Sequence, residues 1–288
     1  MSRGVDLQNV LRRVKEGRGQ GRGNEYRPYI QAKDVPSKGL TTRGKGWKTG
    51  RTHHFLSQLE LDYFYILEWS PTVTDIREQF PLIEGTDIVT LPVAESLGIE
   101  HPSRYNKYQR KVMPTVVTTD ALVTAKIQSR IDDFPRSVKY EKDLEDERTI
   151  EKLELERQMW ATWGKTLKLV TEHEVDRTLA ANVGRIHQYR DPSALNDLSR
   201  DALVAITELL TSKVQRLHRS LANVALEVDE TLAMEPGQSL AVTKHLIASR
   251  RWQIDMTQPF EPTRPVELLN VELGGLSREA AGQSARQT

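Results

Sequence analysis

VVTTDALVTAKIQSRIDDFPRSVKY, from Val116 to Tyr140, is the stretch on which the fold turns. Its β-branched opening, Thr115–Thr119, predicts a buried strand ending at Asp120. Ala121–Ile127 alternates loosely and reads as a second strand pairing back. The polar run Asp132-Asp133-Phe134-Pro135 reads as a turn into a short strand, Arg136–Tyr140. With these strands side by side, Asp120 and Lys139 meet at one end of a sheet. A carboxylate there can hold a divalent metal through oxygen, and an ammonium beside it can orient a water or steady phosphoryl charge. A strand-end turn aspartate and a surface lysine fit the same pattern.

Upstream, His53–Trp69 has a helical stripe of Leu56, Leu59, Tyr63, Ile66 and Leu67. Glu60 falls on that stripe, where a carboxylate is costly unless paired or bound to metal. Glu68 points elsewhere and reads as solvated. Val73–Phe80 reads as a strand. Beyond Lys139, Leu144–Trp163 reads as a helix packing Ile150, Leu153, Trp160 and Trp163 on the sheet, with Glu154 or Glu156 as a candidate assisting acid. Thr166–Thr171 reads as a strand and Glu174–Val183 as a helix. This order predicts a mixed α/β core.

The 288 residues leave room for two domains, and the charges nearly cancel at +41 and −40. Their distribution is uneven. Residues 1–54 hold 13 Lys/Arg against 4 Asp/Glu, with 9 of the 17 glycines. Residues 1–50 therefore read as a basic Gly-rich arm in which Tyr26, Tyr29 and Trp47 could stack on bases. Candidate DNA contacts are Arg18, Arg22, Lys48, Arg51, His53 and His54. A second set, Arg104, Lys107, Arg110 and Lys111, interleaves with Tyr105 and Tyr108. The chain has no cysteine, which excludes thiolate zinc sites, catalytic thiols and disulfides. No apolar run approaches a membrane span and no signal core is evident, so a cytoplasmic protein without membrane association is expected.

In the C-terminal third, Leu195–Leu210 and Lys213–Val228 read as helices linked at Thr211-Ser212. Ser239–Ser249 reads as a third helix and Trp252–Met256 as a strand. Three helices and a small strand suit a winged-helix-like domain over 191–274, followed by a disordered tail, 275–288.

An aspartate followed 19 residues later by a strand-borne lysine is the skeleton of restriction-endonuclease-like nucleases. The chain further resembles the TnsA family, endonuclease subunits of heteromeric Tn-seven-type transposases. The resemblance is carried by KEGRGQGRG (Lys15–Gly23), KTGRTHHFLSQLEL (Lys48–Leu61), LEWSPTVTDIREQFPL (Leu67–Leu82), TTDALV (Thr118–Val123) and DERTIEKLELERQMW (Asp146–Trp160). It implies a restriction-endonuclease-like catalytic domain over 51–190, followed by a winged-helix-like domain. Glu60, Asp120 and Lys139 take the family's catalytic positions. It implies Mg2+, with Mn2+ as a substitute, held by Glu60, Asp120, the Val138 carbonyl and Ser137. The implied activity is a 5′-strand cut at transposon ends, made in the bacterial nucleoid beside a TnsB-like transposase and a TnsC-like AAA+ ATPase. Ser137 departs from the pattern, which usually has Glu, Asp or Gln two positions before the lysine. A hydroxyl is a poorer ligand, so a catalytically silent DNA-binding or assembly subunit stands as the alternative. A winged-helix regulator with an unrelated N-terminal domain is a third reading.

Overall fold

A computed structural model of the chain describes residues 7–34, 42–106, 110–195 and 198–272. The chain divides into two units, Met1–Asp176 and Arg177–Thr288. In order, the first contains α1 (Leu7–Lys15), β1 (Thr42–Lys45), β2 (Thr52–Phe55), α2 (Gln58–Trp69), β3 (Val73–Pro81) and α3 (Thr90–Leu97). It continues with β4 (Ser103–Asn106), β5 (Lys111–Pro114), β6 (Thr118–Ile127), β7 (Arg130–Val138), α4 (Glu147–Thr162) and β8 (Lys168–Val170). The result is a mixed α/β unit.

Its central sheet has the order β3-β6-β7-β8, antiparallel except for the β7–β8 pair. β6 is one strand where two were expected. It is paired on both sides, from Pro81↔Thr118 to Val73↔Ala125 with β3 and from Ala121↔Arg136 to Ile127↔Arg130 with β7. The reversal falls at Gln128-Ser129, where Gln128 takes a left-handed φ of 56°. The expected turn, Asp132–Pro135, instead lies inside β7. β8 pairs only with Arg136–Val138, so at Pro135 the strand has one neighbour and tolerates a residue without an N–H.

The alternating side chains of β6 divide between two layers. Ala121, Val123 and Ala125 join Phe55, Leu61, Phe64 and Leu67, which brings in α2. Leu122 joins Leu82, Met159 and Trp160, so α4 covers the opposite face. α2 starts later than the sequence suggested because Ser57 caps it, accepting from Glu60 N at 3.1 Å, and because His53 belongs to β2. Glu68 is buried, not solvated, and accepts the backbone N–H of Trp47 and Lys48. In α4 the buried face is Leu155, Glu156, Met159 and Trp160, which leaves Ile150 exposed.

Residues 7–34 pack as part of this unit, not as an arm. Tyr26 and Tyr29 are buried, and Arg18 is buried against Asp34 at 2.5 Å. Gly19 has φ 76°, and a Cβ there would lie 2.3 Å from Pro81 Cγ. Arg51 and His53 both bind the buried Glu78, at 2.6 and 2.8 Å, and Tyr26 Oη donates to Glu78 O at 3.0 Å. Arg51 Nε also donates to Gly23 O at 3.1 Å. Arg18, Arg51 and His53 are thus engaged internally, while Arg12, Lys15, Arg22, Arg27 and Lys33 stay exposed.

The second unit holds α5 (Arg177–Ile186), α6 (Arg200–Arg216), α7 (Leu221–Thr231), α8 (Gln238–Ala248), β9 (Trp252–Gln253) and β10 (Asn270–Val271). α5 belongs here because Asn182 binds Met256 O, Gln258 O and Phe260 N at 2.7–2.9 Å. The unit boundary therefore falls at 176/177 and not at 190/191. α6 runs through Thr211-Ser212, the expected link, with Thr211 Oγ1 donating to Thr207 O. β9 and β10 form a short antiparallel pair. Lys107 and the tail 275–288 lie outside the described residues. Among those described, no helix is long and apolar enough to cross a membrane.

Burial alone would raise the Glu78 carboxyl, but attraction to His53 and hydrogen bonds from Arg51 and His53 bring it down to about 2. A depressed folded value means this stabilisation is complete above the unfolded carboxylate's range. It is lost as pH falls toward 2. Urea denaturation across pH 5 to 3 is expected to show a flatter pH dependence for Glu78→Gln, by up to about 1.4 kcal/mol per pH unit. Arg51→Ala leaves a buried carboxylate short of its partner and is expected to cost about 3–5 kcal/mol at pH 7, read from the same denaturation curves.

Candidate active site

Asp120 lies just before the β6–β7 ladder begins at Ala121↔Arg136, and Lys139 just after β7 ends. Lys139 Nζ reaches Asp120 Oδ2 at 2.5 Å and Val138 O at 3.1 Å. Val138 N donates to the same Oδ2 at 2.7 Å, and Ser137 Oγ at 3.3 Å. The sequence-based expectation that Asp120 and Lys139 meet at a sheet end is therefore met. Across from Asp120, between the pairs Glu78↔Ala121 and Phe80↔Thr119, Gln79 is buried at a left-handed φ of 49°. Strain of this kind persists where the surrounding structure enforces it.

Glu60 enters from the first turn of α2. Its Oε2 accepts Leu56 N at 3.0 Å, and its Oε1 accepts Ser57 Oγ at 3.3 Å. Burial, then the negative charge of Asp120, pushes its carboxyl up to about 8. Glu156 enters from α4 on the opposite layer and is likewise raised to about 8 by burial and by Asp120. Its Oε1 is buried and has no hydrogen-bond partner among the described residues. Burial acts to lower the Lys139 ammonium, but Asp120 outweighs it and the pKa is raised. Three carboxylates thus surround one lysine.

Glu156 is the acid that α4 turns inward. Glu154 points out and pairs with Arg157 at 2.7 Å. The signal that marked Glu60 also marks Glu156, since it sits among Leu155, Met159 and Trp160 on the helix's buried face. Trp160 Nε1 donates to Thr119 Oγ1 at 2.6 Å, which anchors α4 one residue from Asp120. Lys139 and Glu156 open onto a cleft of about 520 Å³, whose walls include Pro102, Val117, Thr118 and Lys152.

The donors here are carboxylate, carbonyl and hydroxyl oxygens, the set that suits a hard divalent cation. Among the described residues no three His, Cys, Asp or Glu side chains form a ready-made metal cage. Lys139 already holds Asp120. The Glu156 carboxyl beside Asp120 feels the Thr119 and Ser137 hydroxyls, and its buried Oε1, without a hydrogen-bond partner among the described residues, supplies a further oxygen that can turn to a cation. Ser137 is fully buried with its hydroxyl turned to Asp120, so its small side chain is enclosed rather than open to the cleft.

The expected DNA contacts divide. Arg18, Arg51 and His53 are buried and engaged inside the protein, which removes them from a DNA-facing surface. His54 Nδ1 accepts Ala32 N at 3.3 Å, and Lys48 Nζ donates to Ser70 O at 2.7 Å. Arg22 is exposed but paired with Asp133 at 2.9 Å. Arg104 on β4, Arg110 just before β5 and Lys111 at the start of β5 are exposed.

Two family models match the chain. That of the TnsA-like endonuclease N terminus covers residues 70–172, and that of the TnsA endonuclease C terminus covers 174–256. Their junction falls close to the boundary between the two structural units. The transposon Tn7 transposition protein TnsA of Escherichia coli is 34% identical over 259 residues, 90% of each chain. With Asp120, Lys139 and Glu156 inside the stretch matched by the endonuclease N-terminal model and Glu60 upstream of it in the same unit, the chain belongs to the TnsA family, the endonuclease subunits of heteromeric transposases.

Proposed function

We propose that this chain hydrolyses phosphodiester bonds with a divalent metal, cutting the 5′ strand at transposon ends. The observation that carries the reading is Lys139 on Asp120 at the mouth of a cleft, with the unpartnered Glu156 Oε1 beside them. Glu60, Asp120, the Val138 carbonyl and Glu156 would hold Mg2+ or Mn2+, with Ser137 orienting Asp120. Such an ion, when bound, polarises the scissile phosphate and lowers the pKa of a water. Lys139 keeps Asp120 in place and presents its ammonium to the cleft, where developing phosphoryl charge is stabilised. α4 and α2 exclude bulk water from the carboxylates, which strengthens each interaction with the substrate.

This reading treats unit 1 as a restriction-endonuclease-like core. α6–α8 with β9–β10 form the winged-helix-like part. The partners are the transposon-end DNA, a TnsB-like transposase and a TnsC-like AAA+ ATPase, acting in the bacterial cytoplasm. Against a silent subunit, Glu156 brings from α4 the carboxylate that Ser137 lacks.

Asp120→Ala and Lys139→Ala are expected to abolish strand-resolved cleavage by the assembled complex while circular dichroism is unchanged. Undiminished cutting by either variant removes that residue from the mechanism. Glu156→Gln keeps the shape and removes the charge. It is expected to lower cleavage by about 100-fold and weaken Mn2+ binding, read by electron paramagnetic resonance. Ser137→Ala is expected to stay within about tenfold of wild type. The reverse ranking would make Ser137 a direct ligand and Glu156 a buried structural acid.

A further inference from the structure

β4 and β5 form an antiparallel hairpin with the register Ser103↔Pro114, Arg104↔Met113, Tyr105↔Val112 and Asn106↔Lys111. Its two faces differ. Met113 is buried, and Arg104 lines a groove with Arg13 and Tyr29 of the N-terminal segment, so that face is turned to the body. On the other face the directly opposed pair Tyr105 and Val112 is exposed at 58% and 64%. Two large apolar side chains on one outward face of a narrow hairpin are not accounted for by packing within the unit.

Charge and position indicate what covers them. From His101 to Thr119 the chain has four Lys/Arg and no Asp or Glu. Arg110 and Lys111 precede Val112 in the chain, are exposed and form no ion pair among the described residues. Lys111, opposite Asn106, alternates to the Met113 side at the hairpin's outer end, so it reaches phosphates beside the wedge rather than on its face. Pro102 and Val117 flank the hairpin's root and line the cleft beside Lys139 and Glu156. Tyr105 and Val112 lie two residues out from that root, about 7 Å along the strands. That is about two base pairs of duplex, before the width of the cleft is added.

Charge, together with the small size of the apolar pair, favours a nucleic acid over a protein. The pair is too small to form an interface of either kind by itself, so its neighbours decide, and these are cations without acids in the segment from His101 to Thr119, which suits phosphates. A tyrosine and a valine are the size of the apolar wedges that unstack a single base step, with flanking cations held on the phosphates.

We propose that the β4–β5 hairpin is a DNA wedge, with Tyr105 and Val112 inserted at a base step within about four base pairs of the cut and Arg110 and Lys111 on the adjoining phosphates. The proposal rests on the nuclease reading of the cleft and adds the element that distorts the substrate beside it. A distorted step near the scissile phosphate explains how a recessed site between α2 and α4 reaches a bond in duplex DNA.

The test uses the full-length protein without added metal and a singly nicked duplex carrying 2-aminopurine at successive steps from the nick. Wild type is expected to raise the fluorescence at steps within about four base pairs of the nick. The double variant Tyr105→Ala/Val112→Ser is expected to lose that rise and bind about tenfold more weakly, with an unchanged slope of log affinity against log salt. Tyr105→Phe is expected to keep the rise. Arg110→Ala/Lys111→Ala is expected to reduce the salt slope by about 2. DNA bound by wild type without a rise, or a rise that survives the double variant, overturns the wedge. So does an unaltered rise accompanied by loss of the partner transposase in pull-down, which would make this face a protein surface. Asp120→Ala separates the two readings, because it is expected to lose cleavage and keep the rise. If it still cuts, the nuclease assignment fails and the wedge stands.

Discussion

Asp120 holds a negative charge at the end of a largely buried sheet, and the surrounding architecture answers to that charge. Lys139 Nζ, Val138 N and Ser137 Oγ all converge on its Oδ2. Each donor comes from the last residues of β7 or just beyond, so the β6–β7 register sets the site directly. A slip of one residue would turn Ser137 and Lys139 to the other face. The register is held by ladders on both sides of β6, by Leu122 packed toward α4, and by Ala121 and Val123 packed toward α2.

Around that pair the protein gathers two further carboxyls whose ionisation the site disfavours. Glu60 and Glu156 come from opposite layers and are both pushed to about 8 by burial and by Asp120. Such a cluster is expensive to maintain without a cation. A divalent cation would favour the ionised forms, which is the chemical ground of the metal binding proposed above. Ser137 fits the same logic, since it satisfies Asp120 with a neutral donor and adds no further charge.

A second buried charge cluster stabilises the scaffold. Glu78 neighbours the strand position opposite Asp120 and is neutralised by Arg51 and His53. Through Tyr26 and Gly23 it ties residues 7–34 to β3. Side chains that look like phosphate binders in the sequence are spent on this internal neutralisation. Basic side chains near the cleft include Lys142 and Lys152 on its wall and Arg110 and Lys111 of the β4–β5 hairpin, which form no ion pair among the described residues.

The sequence by itself determined the elements with strong local causes. The β-branched and alternating run of β6, the apolar stripe of α2 with its inward Glu60, and the Asp120–Lys139 spacing were all legible. So were the mixed α/β class and the family resemblance. Boundaries set by competing local signals were not. Ser57 caps α2 after a strand the helical periodicity had absorbed, and Pro135 sits in β7 only because β8 is too short to reach it. Tertiary structure alone decided three further matters. It chose Glu156 over Glu154, because only packing against the sheet selects which face of a charged helix turns inward. It packed residues 7–34 of the expected basic arm into the first unit, because Tyr26 hydrogen-bonds Glu78 O on β3, 52 residues away. It placed Tyr105 opposite Val112, an exposed apolar pair that neither residue's own segment reveals, because cross-strand register is a property of two strands and not of one.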